Sequence, residues 1–156
     1  MAGHTDNEIF IAAPFDVVWE LANDVESWPE LFDGEYASVE VLERHPGRIR
    51  FRLTTTPVDG KVYSWTSERC MDRAAGTVTA RRLEPGVFRY LHIFQSFTPT
   101  DGGVVLRWVQ DFELRPDAPI DVQRMQARID SGCRQNLARH KLLSECRVAG
   151  SGVGGN

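Results

Sequence analysis

The sequence predicts an α+β fold in which a curved, seven-stranded antiparallel sheet surrounds one long C-terminal helix, with two short helices after the first strand. Two patterns lead to this architecture. Between residues 36 and 114, six segments alternate polar and apolar side chains and are separated by turns containing glycine or proline, which is typical of an antiparallel sheet. From about residue 119 to 147, apolar or small side chains recur every three or four positions, as on one face of a helix.

The segment before residue 36 is expected to form one strand and two short helices. Ile9 and Ile11 occupy alternate positions, which indicates the strand. Pro14 suits the first position of a helix, and the apolar residues of FDVVWELAND follow at helical spacing. Pro29 lies near the start of the second short helix, VESWPELF.

The six alternating segments form the rest of the predicted sheet. They place strands near residues 36–44, 48–56, 61–72, 76–84, 88–98 and 103–114. In segment 48–56, RIRFRLTTT, apolar residues alternate with arginines, so we expect one face of the sheet to be covered and the other to meet solvent. In segment 61–72, the outward face is expected to carry Ser64, Thr66 and Glu68.

The composition indicates one globular domain. We place it at residues 1–148, followed by a flexible glycine-rich tail at 149–156. The net charge of −4 argues against a nucleic-acid partner, and no apolar run is long enough to span a membrane. The N-terminus lacks a secretory signal, and the widely spaced Cys70, Cys133 and Cys146 fit reduced thiols, so a cytoplasmic protein is expected. No metal-binding spacing and no phosphate-binding loop is present, so we expect neither metal nor cofactor.

Polar side chains fall on several faces that are otherwise apolar. In YSWTSER, Ser67 and Arg69 share a face with Tyr63 and Trp65, and no carboxylate accompanies the arginine. The same anomaly recurs on later strands and on the long helix, at Arg82, Gln95, Gln110 and Asn136.

A buried charge without a partner costs several kcal/mol, and an unpaired polar group costs about 1–3 kcal/mol. A cavity filled with water or ligand would remove most of that cost, so we expect one between the sheet and the long helix. The alternative is that the arginines reach solvent at strand ends and that the amides are hydrogen-bonded within a filled core.

The same stretches resemble a known family. TDNEIFIAAPFDVVWELANDVESWPELF, YSWTSER, RWVQDFEL and PDAPID are similar to the bacterial aromatase/cyclases of aromatic polyketide biosynthesis, in particular the single-domain type of tetracenomycin and spore-pigment pathways. The resemblance runs from about residue 4 to 147. It implies the START-like, helix-grip fold, which has the element order predicted above.

The resemblance also implies an activity and its partners. Members of this family act with the minimal polyketide synthase on a linear poly-β-ketone carried by an acyl carrier protein. They direct regiospecific aldol cyclisation, and dehydration then gives the aromatic ring, with no cofactor. The outward Arg48, Arg50 and Arg52 could meet an acidic carrier protein, although a solvated face is the simpler interpretation.

The resemblance also implies the site residues, which are the positions of this sequence that match the motifs of the family. Ser67 and Arg69 match the catalytic pair proposed for the family, and Tyr36 matches a pocket tyrosine, although the loop before it is one residue longer here. The matching substrate-binding positions are Trp28, Trp65, Arg82, Trp108 and Asn136, to which the face patterns add Gln110. Gln95 stands where close relatives have an aromatic residue, so we expect a pocket of different shape.

These residue types suit ring closure, in which negative charge develops on oxygen. A fixed guanidinium at Arg69 would stabilise that charge without giving up its proton. Tyr36, or a water held by Ser67 and Tyr36, would move the proton. No histidine or lysine is placed by the sequence to activate Ser67 as a nucleophile, and His140 is interpreted as a core or rim histidine.

The rival interpretation is a binding protein of the same fold, which carries a lipid, quinone or aromatic small molecule unchanged. Such a carrier would have a mainly apolar lining. The predicted lining instead contains two arginines, a serine and two glutamines, which favours the enzyme.

Overall fold

A computed structural model of the protein describes residues 2–32, 34–84 and 86–154. Within these residues, the strands are β1 Ala2–Ile11, β2 Tyr36–His45, β3 Arg48–Thr55, β4 Ser64–Asp72, β5 Thr77–Arg82, β6 Phe88–Thr100 and β7 Gly103–Leu114. The helices are α1 Phe15–Asn23, a 3₁₀ turn at Val25–Ser27, α2 Trp28–Leu31 and α3 Val122–Gly154. The predicted class and order of elements are confirmed.

The strands form one antiparallel sheet in the order β1-β7-β6-β5-β4-β3-β2. Every strand pairs with its sequence neighbour except β1, which pairs with β7, so that the first and last strands lie side by side at one edge of the sheet. The long helix α3 lies along β1 and also contacts α1, α2 and β7. The inward face of the sheet is therefore enclosed by helices, and the outward face meets solvent.

Side chains of α3 cover the free edge of the sheet at β1. The backbone N–H of His4 donates to Gln126 Oε1 at 3.0 Å, and the carbonyl oxygen of Phe10 accepts a hydrogen bond from Lys141 Nζ at 2.8 Å. Just beyond the strand, the N–H of Ala12 donates to Glu145 Oε2 at 2.9 Å. These bonds satisfy edge groups that would otherwise be open to another chain, and they fix the position of α3.

Three apolar clusters form the core. The first half of α3 covers Phe88, Leu91, Phe112 and Leu114 with Val122 and Met125. Helix α1 packs on Ile11, Phe97, Val104 and Leu106. The third cluster joins α2 to β3 through Trp28, Leu31, Phe32, Phe51 and Leu53. The buried polar residues of the inward face lie beside the second and third clusters.

Strand β4 differs from its prediction in two respects. It begins at Ser64 rather than at residue 61, so Tyr63 precedes the strand, is 50% exposed and does not share the inward face. Thr66, which we expected to be solvated, is buried because its hydroxyl donates to Glu84 Oε1 at 2.6 Å and accepts from Arg52 Nη1 at 3.3 Å.

The extent of α3 also differs. The helix begins at Val122 and continues to Gly154, so it includes most of the segment predicted to be a flexible tail. After Pro119 no proline removes a backbone donor, and each glycine lowers helix propensity by only about 1 kcal/mol. Residues 155–156 of that tail lie outside the described residues, as do positions 33 and 85 in two of the expected turns. No described helix has both the length and the apolar character needed to cross a membrane.

Candidate functional site

Arg69 is buried at the centre of the inward face, with 3% of its surface exposed. Its Nε donates to Asn23 Oδ1 at 2.8 Å, and its Nη2 donates to Gln95 Oε1 at 2.9 Å and to the Ala22 carbonyl oxygen at 3.4 Å. The guanidinium carbon lies 5.4 Å from the ring centre of Trp28. All of these partners are neutral, so they orient the guanidinium without cancelling its charge.

The charge of Arg69 is retained at neutral pH. Burial lowers the pKa of the guanidinium to about 9, which still leaves it protonated at pH 7. Nε and Nη2 are occupied, but Nη1 makes no hydrogen bond to any residue within the described ranges. Nη1 is therefore the donor that can receive an oxygen atom from a ligand.

Asn23 is a partner that the sequence analysis missed. It is the last residue of α1, and its Nδ2 donates to the Trp19 carbonyl oxygen at 2.9 Å, which leaves Oδ1 directed at Arg69. The sequence spacing could have indicated that Asn23 points inward, because it lies four residues after the buried Trp19 and so shares its helical face. The α1 helix end and β6, through Gln95, thus position the guanidinium from two sides.

Arg82 is a second inward arginine. Ser67 lies directly opposite it on β4, and the guanidinium carbon of Arg82 is 3.8 Å from the ring centre of Trp65 and 5.2 Å from that of Phe88. Burial lowers the pKa of Arg82 to about 10, and Tyr36 partly opposes this shift. The cation is thus held mainly by aromatic faces, an arrangement whose strength increases when water is excluded.

Tyr36 belongs to an aromatic cluster between α2 and the first strands of the sheet. Its ring centre lies 5.8 Å from Phe32, 6.2 Å from Trp28 and 6.4 Å from Trp65. The residue is half-buried overall, but burial of its hydroxyl raises the pKa well above the usual value for tyrosine, and the neighbouring Glu35 raises it further. The Tyr36 hydroxyl therefore stays protonated at neutral pH and can donate a hydrogen bond.

Glu35 was also missed by the sequence analysis, and it links Tyr36 to α3. Much of the residue is exposed, whereas its carboxyl group is largely surrounded by protein, so burial raises the pKa of that carboxyl. A hydrogen bond from the Asn136 side chain acts in the opposite direction. The predicted Asn136 therefore lies next to the pair Glu35–Tyr36.

Trp108 and Gln110 follow one another on the inward face of β7. Trp108 is opposite Gln95, and its indole Nε1 is buried without a hydrogen-bond partner. Gln110 is opposite Thr5 on β1 and interacts with the thiol of Cys133, whose pKa burial raises to about 12. Gln110 thus faces the middle of α3 and is not a hydrogen-bond partner of Arg69.

Two cavities of the structure lie away from these residues. One, of about 340 Å³, separates β1 from α3 near Thr5, Gln126 and Asp130. The other, of about 380 Å³, lies on the outward face near Cys70 and Phe94. Arg69 lines neither of these two cavities, and the cavity predicted between the sheet and α3 stays a prediction.

The described residues contain no group of three His, Cys, Asp or Glu side chains arranged to hold a metal ion. The functional groups assembled on the inward face are guanidinium, phenol, carboxyl, amide and aromatic groups. Together they can donate hydrogen bonds to oxygen atoms and transfer protons.

Residues 11–141 match the family model described as "Polyketide cyclase / dehydrase and lipid transport". The chain belongs to this family. Over 122 residues, which are 78% of this chain and 80% of the relative, it is 54% identical to a Streptomyces cyaneus protein named as a polyketide cyclase. The resemblance inferred from the sequence is therefore confirmed.

Two solved structures have the same fold as this protein. The crystal structure of the Zhui aromatase/cyclase from Streptomyces sp. R1128 superposes with a TM-score of 0.85 and 25% identity, covering 95% of this chain and 96% of that chain. A START superfamily protein from Mycobacterium smegmatis superposes with a TM-score of 0.76 at 14% identity, covering 91% of this chain and 97% of that chain. The second likeness shows the fold alone.

Proposed function

We propose that this protein is a polyketide aromatase/cyclase of aromatic polyketide biosynthesis. It receives a linear poly-β-ketone on an acyl carrier protein, produced by the minimal polyketide synthase, and directs regiospecific aldol cyclisation followed by dehydration. The observation that carries this proposal is the buried Arg69, which keeps its charge, has only neutral partners and has an unoccupied Nη1.

In the aldol step, an enolate carbon of the chain attacks a ketone carbon, and the ketone oxygen becomes an alkoxide. Arg69 stabilises this oxygen as its negative charge develops. In other enzymes, removing one such donor, already oriented in a site shielded from water, lowers the rate by about 10²–10³-fold. Because Asn23 and Gln95 are uncharged, they hold the guanidinium in place without weakening its field.

Proton transfer is assigned to Tyr36 and Glu35. The raised pKa of the Glu35 carboxyl brings it closer to neutrality, where a carboxylate is a more effective general base. Tyr36, which stays protonated, donates to the leaving hydroxyl group during dehydration. Ser67, opposite Arg82, holds a water or a substrate oxygen between these groups. The overall reaction makes one carbon–carbon bond, releases water and involves no oxidation, so it requires no cofactor.

Aromatic side chains shape the path of the substrate. Trp28, Trp65 and Trp108 supply flat apolar surfaces along the inward face, while Arg82 and Asn136 supply polar contacts beside them. Holding the chain in a folded conformation brings the reacting carbons together. Well-oriented intramolecular reactions reach effective molarities of about 10⁵ M or more, so this positioning supplies a large part of the rate.

The test compares the products of a minimal polyketide synthase with and without this protein. We expect the protein to convert a mixture of spontaneously cyclised products into one dominant ring pattern, observed by liquid chromatography and mass spectrometry. The rival, a carrier of lipid, quinone or aromatic molecules, predicts binding of such a molecule with no change in the product mixture. An unchanged mixture from folded protein would contradict the proposed function.

A further inference from the structure

Two buried nitrogen atoms on neighbouring rings have no hydrogen-bond partner in the structure. They are Nε1 of Trp108 on β7 and Nδ1 of His140 on α3. The two ring centres lie 6.3 Å apart with an angle of 66° between the ring planes. His140 is 1% exposed, and the edge-to-face contact with Phe32 at 5.3 Å holds its ring on the other side.

Such a pair is unusual in a protein interior. About 90% or more of buried polar groups have a hydrogen-bond partner, and each one that lacks a partner costs about 1–3 kcal/mol. Two unpaired nitrogens on adjacent rings from different elements therefore indicate that the partner comes from outside the chain. An apolar residue at position 140 would fill the same space without that cost.

The position of the pair relates it to Arg69. Gln95, which accepts a hydrogen bond from Arg69, is the direct cross-strand partner of Trp108. The sheet order places β7 three strands away from β4, which corresponds to about 14 Å at roughly 4.8 Å per strand. Trp108 thus lies beyond Gln95 on the inward face of the sheet, and His140 on α3 lies between Trp108 and Phe32.

We propose that His140 and Trp108 form a second oxygen-binding site, which holds a carbonyl or enol oxygen of the substrate other than the one at Arg69 and so sets the register in which the chain folds. This inference rests on the proposed function. The indole N–H can only donate, whereas a neutral imidazole donates or accepts according to its tautomer. Together they suit the keto and enol forms of a poly-β-ketone.

The electrostatic surroundings favour the neutral imidazole that this site requires. Burial lowers the pKa of His140 to about 3, and the charge of Arg69 contributes to the shift. The ring is therefore uncharged at the pH at which the enzyme works. A neutral imidazole can polarise a carbonyl group by hydrogen bonding, as it does in triosephosphate isomerase.

The test uses His140→Leu, His140→Asn and Trp108→Phe in the full chain, with His92→Leu as the matched control because His92 is exposed. We measure the ratio of the dominant ring pattern to all other products, and the affinity for 1,8-dihydroxyanthraquinone by calorimetry. His140→Leu and Trp108→Phe should each lower both quantities about tenfold, which is the effect of about 1.4 kcal/mol. His140→Asn, whose amide nitrogen can occupy the place of Nδ1, should restore most of the loss, and His92→Leu should change nothing.

A purely structural role gives a different result. Because Nδ1 is unpaired, His140→Leu should unfold at the same temperature as the wild type or at a higher one. The double variant, His140→Leu with Trp108→Phe, should lower the ring-pattern ratio and the probe affinity by less than the product of the two single-variant factors, because both residues contact the same oxygen. Unchanged products and unchanged probe affinity in folded His140→Leu would overturn the inference, as would a loss that only follows lower stability and is not rescued by asparagine. If wild-type protein fails to alter the product mixture, the proposed function fails, and the probe affinities still decide whether this site exists.

Discussion

Arginines on the two faces of the same sheet have opposite surroundings. On the outward face, Arg81 lies 3.3 Å from a carboxylate oxygen of Glu68, and Arg52 lies 3.2 Å from one of Glu84. On the inward face, Arg69 and Arg82 form no ion pair with any described carboxylate and contact amides and aromatic rings instead. Arg81 and Arg82 show the contrast most directly, because they are consecutive residues of β5 that point to opposite sides.

The contrast separates surface arginines from the arginines that we propose contact the substrate. Exposed ion pairs contribute about 0–1 kcal/mol and keep the outward face soluble. An uncompensated buried charge lowers stability, and replacing a buried charge network with apolar residues is often neutral or stabilising by about 1–4 kcal/mol. The inward arginines therefore contribute little or nothing to the stability of the fold.

The outward ion pairs also test whether β3 could bind the proposed carrier protein through its arginines. Arg50 lies 3.1 Å from Glu43 and 3.4 Å from Glu68, and Arg48 lies 3.9 Å from Glu43. The basic stripe of β3 is thus largely neutralised by carboxylates from its neighbours. These contacts therefore favour a solvated face on which the arginines form ion pairs with carboxylates of the same chain.

The largest effect is expected from Arg69→Met, which removes the inward charge and keeps a chain of similar length. Directed ring closure should fall by about 10²-fold or more, because the donor to the developing oxyanion is lost. The free energy of unfolding in urea should change little, because removal of the buried charge is offset by the loss of the hydrogen bonds to Asn23 and Gln95, each at a cost of about 1–3 kcal/mol. Arg81→Met is the matched control and should retain the wild-type ring pattern. A folded Arg69→Met protein with wild-type products would remove Arg69 from the mechanism.

Acid adds a charge to the inward face by protonating His140. Because its folded-state pKa, about 3, lies below its usual value of 6.5, the unfolded chain binds the extra proton first. Above pH 6.5 the neutral His140 leaves the free energy of unfolding at its full value. As the pH falls from 6.5 towards 3, the free energy of unfolding decreases by on the order of 1.4 kcal/mol per pH unit, which amounts to a few kcal/mol. His140→Leu should lack this part of the acid sensitivity. Parallel stability curves for the two proteins between pH 6.5 and 4 would contradict the assignment.

Arg82→Gln tests the second inward cation and should have an intermediate effect. Loss of the contact with Trp65, worth about 0.5–2 kcal/mol, should be offset by removal of the buried charge, so thermal stability should change little. Directed ring closure should fall roughly tenfold, because a charged donor to the substrate is lost. We would measure both from the same protein preparation. An effect as small as that of Arg81→Met would show that the two faces of β5 are equivalent for function.

The smallest effect is expected for the outward pair Arg52–Glu84, whose side chains are 40% and 58% exposed. A double-mutant cycle with Arg52→Met and Glu84→Gln should give a coupling energy of at most about 1 kcal/mol, and it should decrease in high salt. A larger, salt-independent coupling would mean that the outward pairs are not ordinary surface ion pairs.

The alternation of side chains was enough to predict the sheet and the inward direction of Arg69 and Gln95. It could not predict that these two residues bond to each other, because Gln95 reaches Arg69 across an intervening strand. Asn23 was missed for a related reason, since it lies 46 positions before Arg69 and meets it only through tertiary packing. The end of α3 was predicted too early because the glycines after residue 149 indicate a weak helix, whereas the backbone hydrogen bonding continues.

The most direct test of the central claim is a crystal structure with a hydroxylated anthraquinone or a poly-β-ketone mimic bound. We expect a ligand oxygen at about 2.7–3.2 Å from Nη1 of Arg69, with the guanidinium still held by Asn23 and Gln95. A ligand bound in one of the two outer cavities, with Arg69 unchanged and out of its reach, would contradict it.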